Sequence, residues 1–190
     1  MSKFKQRYCI ESTRLQNWNY AWKGLYFVTI NTKFHQPFFG ENKDGVMHYS
    51  DIGNEVRNQW IETPLLRPDM NIILDEFTIM PNHFHGILGI GRNAVNRFPD
   101  VSSDYFPDDE IHPQDGPQNS FGPQRKNLSS VIRGFKASVT SYANSNNLVF
   151  GWHPRFHDQL IRDERALNNI RRYIRNNVKN WERDRFRKKR

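Results

Sequence analysis

Cysteine is almost missing from these 190 residues. The one thiol, Cys9, cannot close an intramolecular disulfide, and zinc sites built on cysteine are excluded. No apolar run approaches the roughly 20 residues that cross a bilayer, which excludes a membrane helix. The basic start, Met1 to Tyr8, leads into Cys9-Ile10-Glu11-Ser12 instead of a long apolar stretch with a small-residue cleavage site, so no secretory signal is expected. These absences make a cytoplasmic location the expectation. Wholesale disorder is excluded as well, because 14% of the residues are aromatic and an unfolded chain carries few. The length suits a single domain.

What is present is uneven charge. The net charge is +8, yet Pro99 to Gln124 hold six acids and neither lysine nor arginine. Setting that segment aside leaves 28 basic residues against 14 acidic ones, a net charge of +14. The last ten residues, Trp181 to Arg190, carry six basic side chains and two acidic ones. Such a surface suits a polyanion. Five Trp, seven Tyr and fourteen Phe interleaved with the cations point towards single-stranded nucleic acid, whose unstacked bases need platforms, although most of these rings belong in a core.

The hydrophobic pattern predicts the element order. Residues 1–24 read as an arm. Leu25 to Thr32 is rich in β-branched and aromatic residues and predicts a strand. Phe38-Phe39 and Val46 to Tyr49 predict a small hairpin with Glu41 to Asp44 as its loop. Ser50 or Asp51 can cap a helix to about Glu62, with Ile52, Val56 and Trp60 recurring every four residues and Pro64 and Pro68 ending it. Met70 to Met80 and Phe84 to Ile90 predict two strands joined by a tight turn at Met80-Pro81-Asn82. Residues 91–127, with five prolines and little periodicity, predict a long mobile loop. Val131, Ile132, Phe135 and Val139 predict a helix capped by Ser129 or Ser130. Arg155 to Ile161 predicts a strand. Asp163 then caps a helix with apolar positions Leu167, Ile170, Ile174, Val178 and Trp181. Apart from the hairpin and the last helix, the order is βαββαβ. The expected fold is therefore α+β, a ferredoxin-like (split βαβ) antiparallel sheet with helices on one face, plus a C-terminal helix. The domain is expected over 25–181, with residues 182–190 as a basic tail that frays or contacts a partner.

Two constellations carry chemistry. On a strand His83 and His85 share a face, and two neutral imidazoles a few ångströms apart can bind a divalent metal. An isolated His-x-His is more often a pair of surface or polar-core histidines. Asn169, Tyr173 and Asn177 are spaced i, i+4, i+8 on the last helix, so a phenol lies one turn from an amide oxygen. A metal that polarises a phosphate makes attack by such a phenol feasible near neutrality. Taken alone, a helical Tyr beside Ile174 is more often a core or rim packing residue than a nucleophile.

The segments together resemble the HUH single-tyrosine transposases of bacteria, most closely the REP-associated tyrosine transposases and their insertion-sequence relatives. The resemblance covers about 25–90 and 128–181. Its markers are Gly24 to Ile30, Leu74 to Ile87 with Met80-Pro81-Asn82-His83-Phe84-His85-Gly86 inside it, Phe135-Lys136, Trp152 to Asp158, and Tyr173-Ile174-Arg175-Asn176-Asn177. It implies that His83 and His85 are metal ligands, that Asn177 is the third ligand and that Tyr173 is the nucleophile. The cofactor it implies is Mg²⁺ or Mn²⁺. The activity it implies is nicking and joining of hairpin-bearing single-stranded DNA through a 5′-phosphotyrosine. Val178 stands where the family usually has proline, so the last helix is expected to run further. Candidate DNA contacts are Arg133, Lys136, Arg155, His157, Arg183, Arg185, Lys188 and Lys189. A catalytically idle hairpin-binding protein and a water-using metal phosphodiesterase are the alternatives. A monomer with its own site and a dimer exchanging tyrosine helices both remain open.

Overall fold

In the computed structural model the described residues are 24–91 and 126–187. The expected arm (except Gly24), the acidic segment 92–125 and the tail residues Lys188 and Lys189 lie outside them. The strands are β1 (Gly24–Asn31), β2 (Gly40–Lys43), β3 (Val46–Tyr49), β4 (Ile72–Met80), β5 (His83–Ile90) and β6 (His157–Ile161). The helices are α1 (Asp51–Glu62), α2 (Leu128–Ser145) and α3 (Glu164–Asn177).

Four strands form one sheet in the order β4-β5-β1-β6, antiparallel at every pairing, and β2-β3 is a separate hairpin. This is the ferredoxin-like arrangement: β1 and β4 flank β5 and cross over through α1. Period-two alternation assigns the two faces. Tyr26, Val28 and Ile30 of β1 pack with Phe84 and Leu88 of β5 against Val56 and Trp60 of α1 and Ile132, Phe135 and Val139 of α2. The odd-numbered residues point the other way, where Leu25, Ile87 and Ile161 meet Leu167 and Ile174 of α3. The helices α1 and α2 thus share one face and α3 covers the other.

Several boundaries differ from expectation for local reasons. The hairpin turn is only Asp44-Gly45, both at positive φ (52° and 75°), so the strand runs on through Lys43. The strand β4 starts at Ile72, because Pro68 to Met70 form a 3-10 turn. The cap of α2 is Asn127, not Ser129 or Ser130. The Asn127 side chain accepts from the Ser130 amide at 2.9 Å, and the Ser130 hydroxyl accepts from the Asn127 amide at 3.1 Å. Ser130 is therefore consumed as the third residue of a reciprocal capping box. The strand β6 begins at His157, since the Arg155 amide donates to the His153 ring instead of to a strand. The expected extension of α3 does not occur. The helix stops at Asn177, Asn42 Nδ2 donates to the freed Val178 carbonyl at 2.9 Å, and Trp181 to Arg183 make a 3-10 turn.

Gly86 faces the helices α1 and α2 at the tightest point of this core. A β-carbon there would lie 2.7 Å from the Trp60 ring and 2.8 Å from the Phe84 ring. Those rings pack against each other, tilted, with centroids 4.6 Å apart, and both are fully buried, so neither can retreat. Gly86→Ala should destabilise the fold by about 1–3 kcal/mol. Chemical denaturation checks this; an unchanged midpoint would show that the core has slack.

Candidate active site

The central strand β5 places His83 and His85 on the α3 face, between β4 and β1. They are 0% and 1% exposed, with ring centroids 4.7 Å apart. Each ring is held through Nδ1. His85 Nδ1 shares a hydrogen bond with Thr29 Oγ1 at 2.8 Å, directly across the β1–β5 ladder. His83 Nδ1 donates to Asn82 Oδ1 at 2.8 Å. The orientation of Asn82 follows from its amide group, which donates to the carbonyls of His35 and Phe186 at 3.2 and 2.7 Å. Its oxygen is thereby turned to His83. The proton of His83 then sits on Nδ1 and Nε2 keeps a lone pair, which is buried without a hydrogen-bond partner. Burial drives both pKa values down. His85 falls to about 3, with Arg185 adding to the effect, and His83 falls well below 6.5, with His85, His35 and Arg185 contributing. Both imidazoles are neutral at pH 7.

The other half of the site rides on α3, which is fastened by an irregularity in β4. The register slips by one between Leu74 and Phe77, so two consecutive residues, Asp75 and Glu76, turn towards α3. Arg171 grips Asp75 with Nε at 3.2 and 3.0 Å and Nη2 at 2.5 Å, and Arg175 binds Glu76 at 2.9 and 2.6 Å. Tyr173 stands between these arginines, 44% exposed, with its hydroxyl 3.1 Å from His85 Nε2. Burial raises the phenol above its ordinary value; a hydrogen bond with the Asn177 side chain opposes this, Asp184 adds to it and Arg185 opposes it. One turn on, Asn177 is buried and its Oδ1 has no hydrogen-bond partner. Asn169, one turn before Tyr173, is exposed.

One chain thus brings His83, His85, Tyr173 and Asn177 together. Among the described residues no three His, Cys, Asp or Glu side chains are grouped to hold a metal. The donors that do fit are two neutral imidazoles and an amide oxygen. Two buried lone pairs, His83 Nε2 and Asn177 Oδ1, have no hydrogen-bond partner, and that deficit is what a divalent cation would relieve.

The described part of the tail, up to Arg187, lies against the site. Asp184 Oδ2 stands 3.7 Å from His83 Nε2, and the Phe186 ring lies 4.7 Å from the His83 ring. Arg183 and Arg185 line a groove of about 1300 Å³ beside the site, together with Arg187, Trp181 and His35. His157, on β6 opposite Thr29, is exposed on the same face as His85, and Arg155 is exposed just before it. Arg133 and Lys136 lie on α2, across the sheet from the histidines. Arg133 is exposed, whereas Lys136 Nζ donates to the His153 carbonyl at 2.6 Å. That bond fastens α2 to the segment before β6, and burial lowers the Lys136 pKa to about 8. The sequence did not mark Thr29, Asp184 or Phe186 as partners of the histidines. Asn82 was visible as part of the motif, but its role in orienting His83 was not.

No family model matches the chain. A Haemophilus influenzae protein described only as uncharacterized is 36% identical over 177 residues, covering 91% of this chain and 90% of that one. The chain belongs to the family of that protein. Its fold is shared more widely. The REP-associated tyrosine transposase solved bound to a REP hairpin superposes with a TM-score of 0.52 at 16% identity, over 88% of this chain and 72% of that one. Among the described residues no helix is long and apolar enough to cross a membrane.

The depressed imidazoles carry a pH signature. In the metal-free chain the unfolded state takes up protons below about 6.5 that the folded state refuses until about pH 3. Stability is complete above 6.5 and is lost as the pH falls through that window. Thermal midpoints between pH 7 and 4.5 should fall less steeply in His85→Gln than in the parent chain. Equal slopes would mean that His85 is not the buried neutral base described.

Proposed function

We propose that the chain is a metal-dependent, transposase-like endonuclease and strand-transferase of single-stranded DNA, working through a covalent 5′-phosphotyrosine on Tyr173. The observation that carries this reading is the Tyr173 hydroxyl, 3.1 Å from a buried imidazole and beside two buried lone pairs that accept no hydrogen bond. A packing tyrosine needs no such surroundings. The fold shared with the REP-associated tyrosine transposase supports the same reading, and that protein's hairpin ligand suggests hairpin-bearing DNA as the substrate.

His83, His85 and Asn177 would hold Mg²⁺ or Mn²⁺, which when bound supplies Lewis acidity to the scissile phosphate. Two imidazoles tilt the preference towards Mn²⁺. The remaining work belongs to the chain. The Arg171 and Arg175 clamps hold the phenol over the histidine pair. Tyr173 Oη forms a bond to phosphorus and loses its proton to solvent. The bond to the 3′ oxygen breaks, and that oxygen is protonated and leaves as a 3′-OH. One phosphoester replaces another, so a second 3′-OH can reverse the attack and join new ends without ATP. Because burial keeps the phenol protonated at pH 7, the rate should rise with pH across the neutral and alkaline range.

A second reading, a hairpin-binding protein without chemistry, is favoured by Asp184 and Phe186 lying against His83. Labelled hairpin-bearing oligonucleotides incubated with Mn²⁺ separate the two. The strand-transferase reading expects a covalent adduct on a denaturing gel that is abolished in Tyr173→Phe. Cleavage surviving in that variant would indicate water as nucleophile, and binding without an adduct would indicate the second reading. In a separate titration, Asn82→Ala should weaken Mn²⁺ binding by about 10- to 100-fold, since an outer partner of a ligand histidine is lost. Unchanged affinity would remove Asn82 from the site.

A further inference from the structure

Phe34 is set against its own backbone preference and against burial. It lies between β1 and β2 with φ 55° and ψ 23°, and His35 follows at φ 53°. Two consecutive residues with β-carbons in the left-handed region are uncommon, and for a bulky ring the conformation is an outlier. The strain does not bring the ring into the core: Phe34 is 70% exposed. The flanking backbone nevertheless over-determines the conformation. The Thr32 amide donates to the Asn82 carbonyl at 3.0 Å, and the single Oγ1 proton lies between the Gln36 carbonyl at 2.7 Å and the Asn82 carbonyl at 3.0 Å. The Lys33 amide donates to the Gly151 carbonyl at 2.7 Å. Asn82 is the residue that orients His83, so one turn fixes both the imidazole and the strained segment. The Lys33 ammonium lies 5.3 Å from the Phe34 ring centroid. The next residue, His35, lines the groove that Arg183, Arg185 and Arg187 share.

We infer that Phe34 is a stacking platform for an unpaired base of single-stranded DNA lying along the arginine-lined groove, with Lys33 on a neighbouring phosphate. This rests on the single-strand reading above and adds to it a base contact outside the histidine site. Strain of this kind persists at ligand clamps, where a fixed ring loses little freedom on binding. Arg187 is paired with Glu182, but Lys33, Arg183 and Arg185 favour a polyanion over an apolar protein partner. A ring 70% exposed, with the Lys33 ammonium over one face, offers its other face to any base, so the contact sets affinity and strand path more than sequence.

The test uses the full chain in EDTA, so that no cleavage occurs, and single-stranded oligonucleotides carrying 2-aminopurine at successive positions. The platform predicts fluorescence quenching confined to one or two positions. Phe34→Ala should abolish that quenching and weaken binding about 5- to 100-fold, while Phe34→Trp retains both. Phe34→Gly should lose binding equally without a lower melting temperature, because glycine accepts the positive φ. Wild-type affinity and quenching in Phe34→Ala would overturn the inference. So would a Phe34→Ala change confined to sedimentation, which would make the ring a protein contact. If the parent chain binds no single strand at all, the single-strand reading itself fails, and the platform with it.

Discussion

The fork of Arg171 on the Asp75 carboxylate joins α3 to the sheet, and the candidate site depends on that join. The apolar seam beneath α3 is short, with Leu167 and Ile174 as its fully buried contributions. A helix so polar elsewhere would not be aligned to within a hydrogen bond by that seam alone. The bidentate pair supplies direction, because a planar guanidinium meets a carboxylate in one plane and at one distance. Asp75 is available only because the bulge in β4 turns two adjacent carboxylates to the same side. A one-residue irregularity in an edge strand therefore fixes where a phenol sits relative to a histidine two strands of chemistry away in sequence, 88 residues apart.

The same face explains why the histidines are kept neutral. They lie in the middle of a sheet, under a helix and a folded-back tail, with Arg185 close enough to oppose protonation. A neutral imidazole whose Nδ1 is tied to the scaffold presents Nε2 as a directed lone pair. The protein around this uncharged centre is strongly basic, which attracts phosphate without placing a cation inside the donor set. The Asp184 carboxylate reaches His83, and burial pushes its own pKa up.

Much of this was legible from residue patterns. Alternation in Leu25 to Thr32 and in Phe84 to Ile90 predicted strands, and the four-residue recurrence of Ile52, Val56 and Trp60 predicted α1. Ser50 and Asp163 act as caps as expected. Errors fell where two local devices compete. Ser130 looked like a cap and is instead the partner of one, and Glu41 to Lys43 looked like a loop because polar residues also suit an exposed strand. The end of α3 was misplaced because the missing proline removes one stop signal, while Asn42, from a distant hairpin, provides another by taking the Val178 carbonyl.

The amino-acid order by itself determined that His83 and His85 share a face and that Tyr173 and Asn177 share another, because strand and helix periods are properties of the local backbone. It also determined the basic balance and the βαββαβ order. Only the tertiary structure decided that the two faces meet, that Asn82 and Thr29 aim the rings, and that Phe186 and Asp184 close over them. Those relations join residues far apart along the chain. They depend on a register slip, on burial and on which carbonyl finds which donor, and none of these is encoded in the spacing of neighbouring residues.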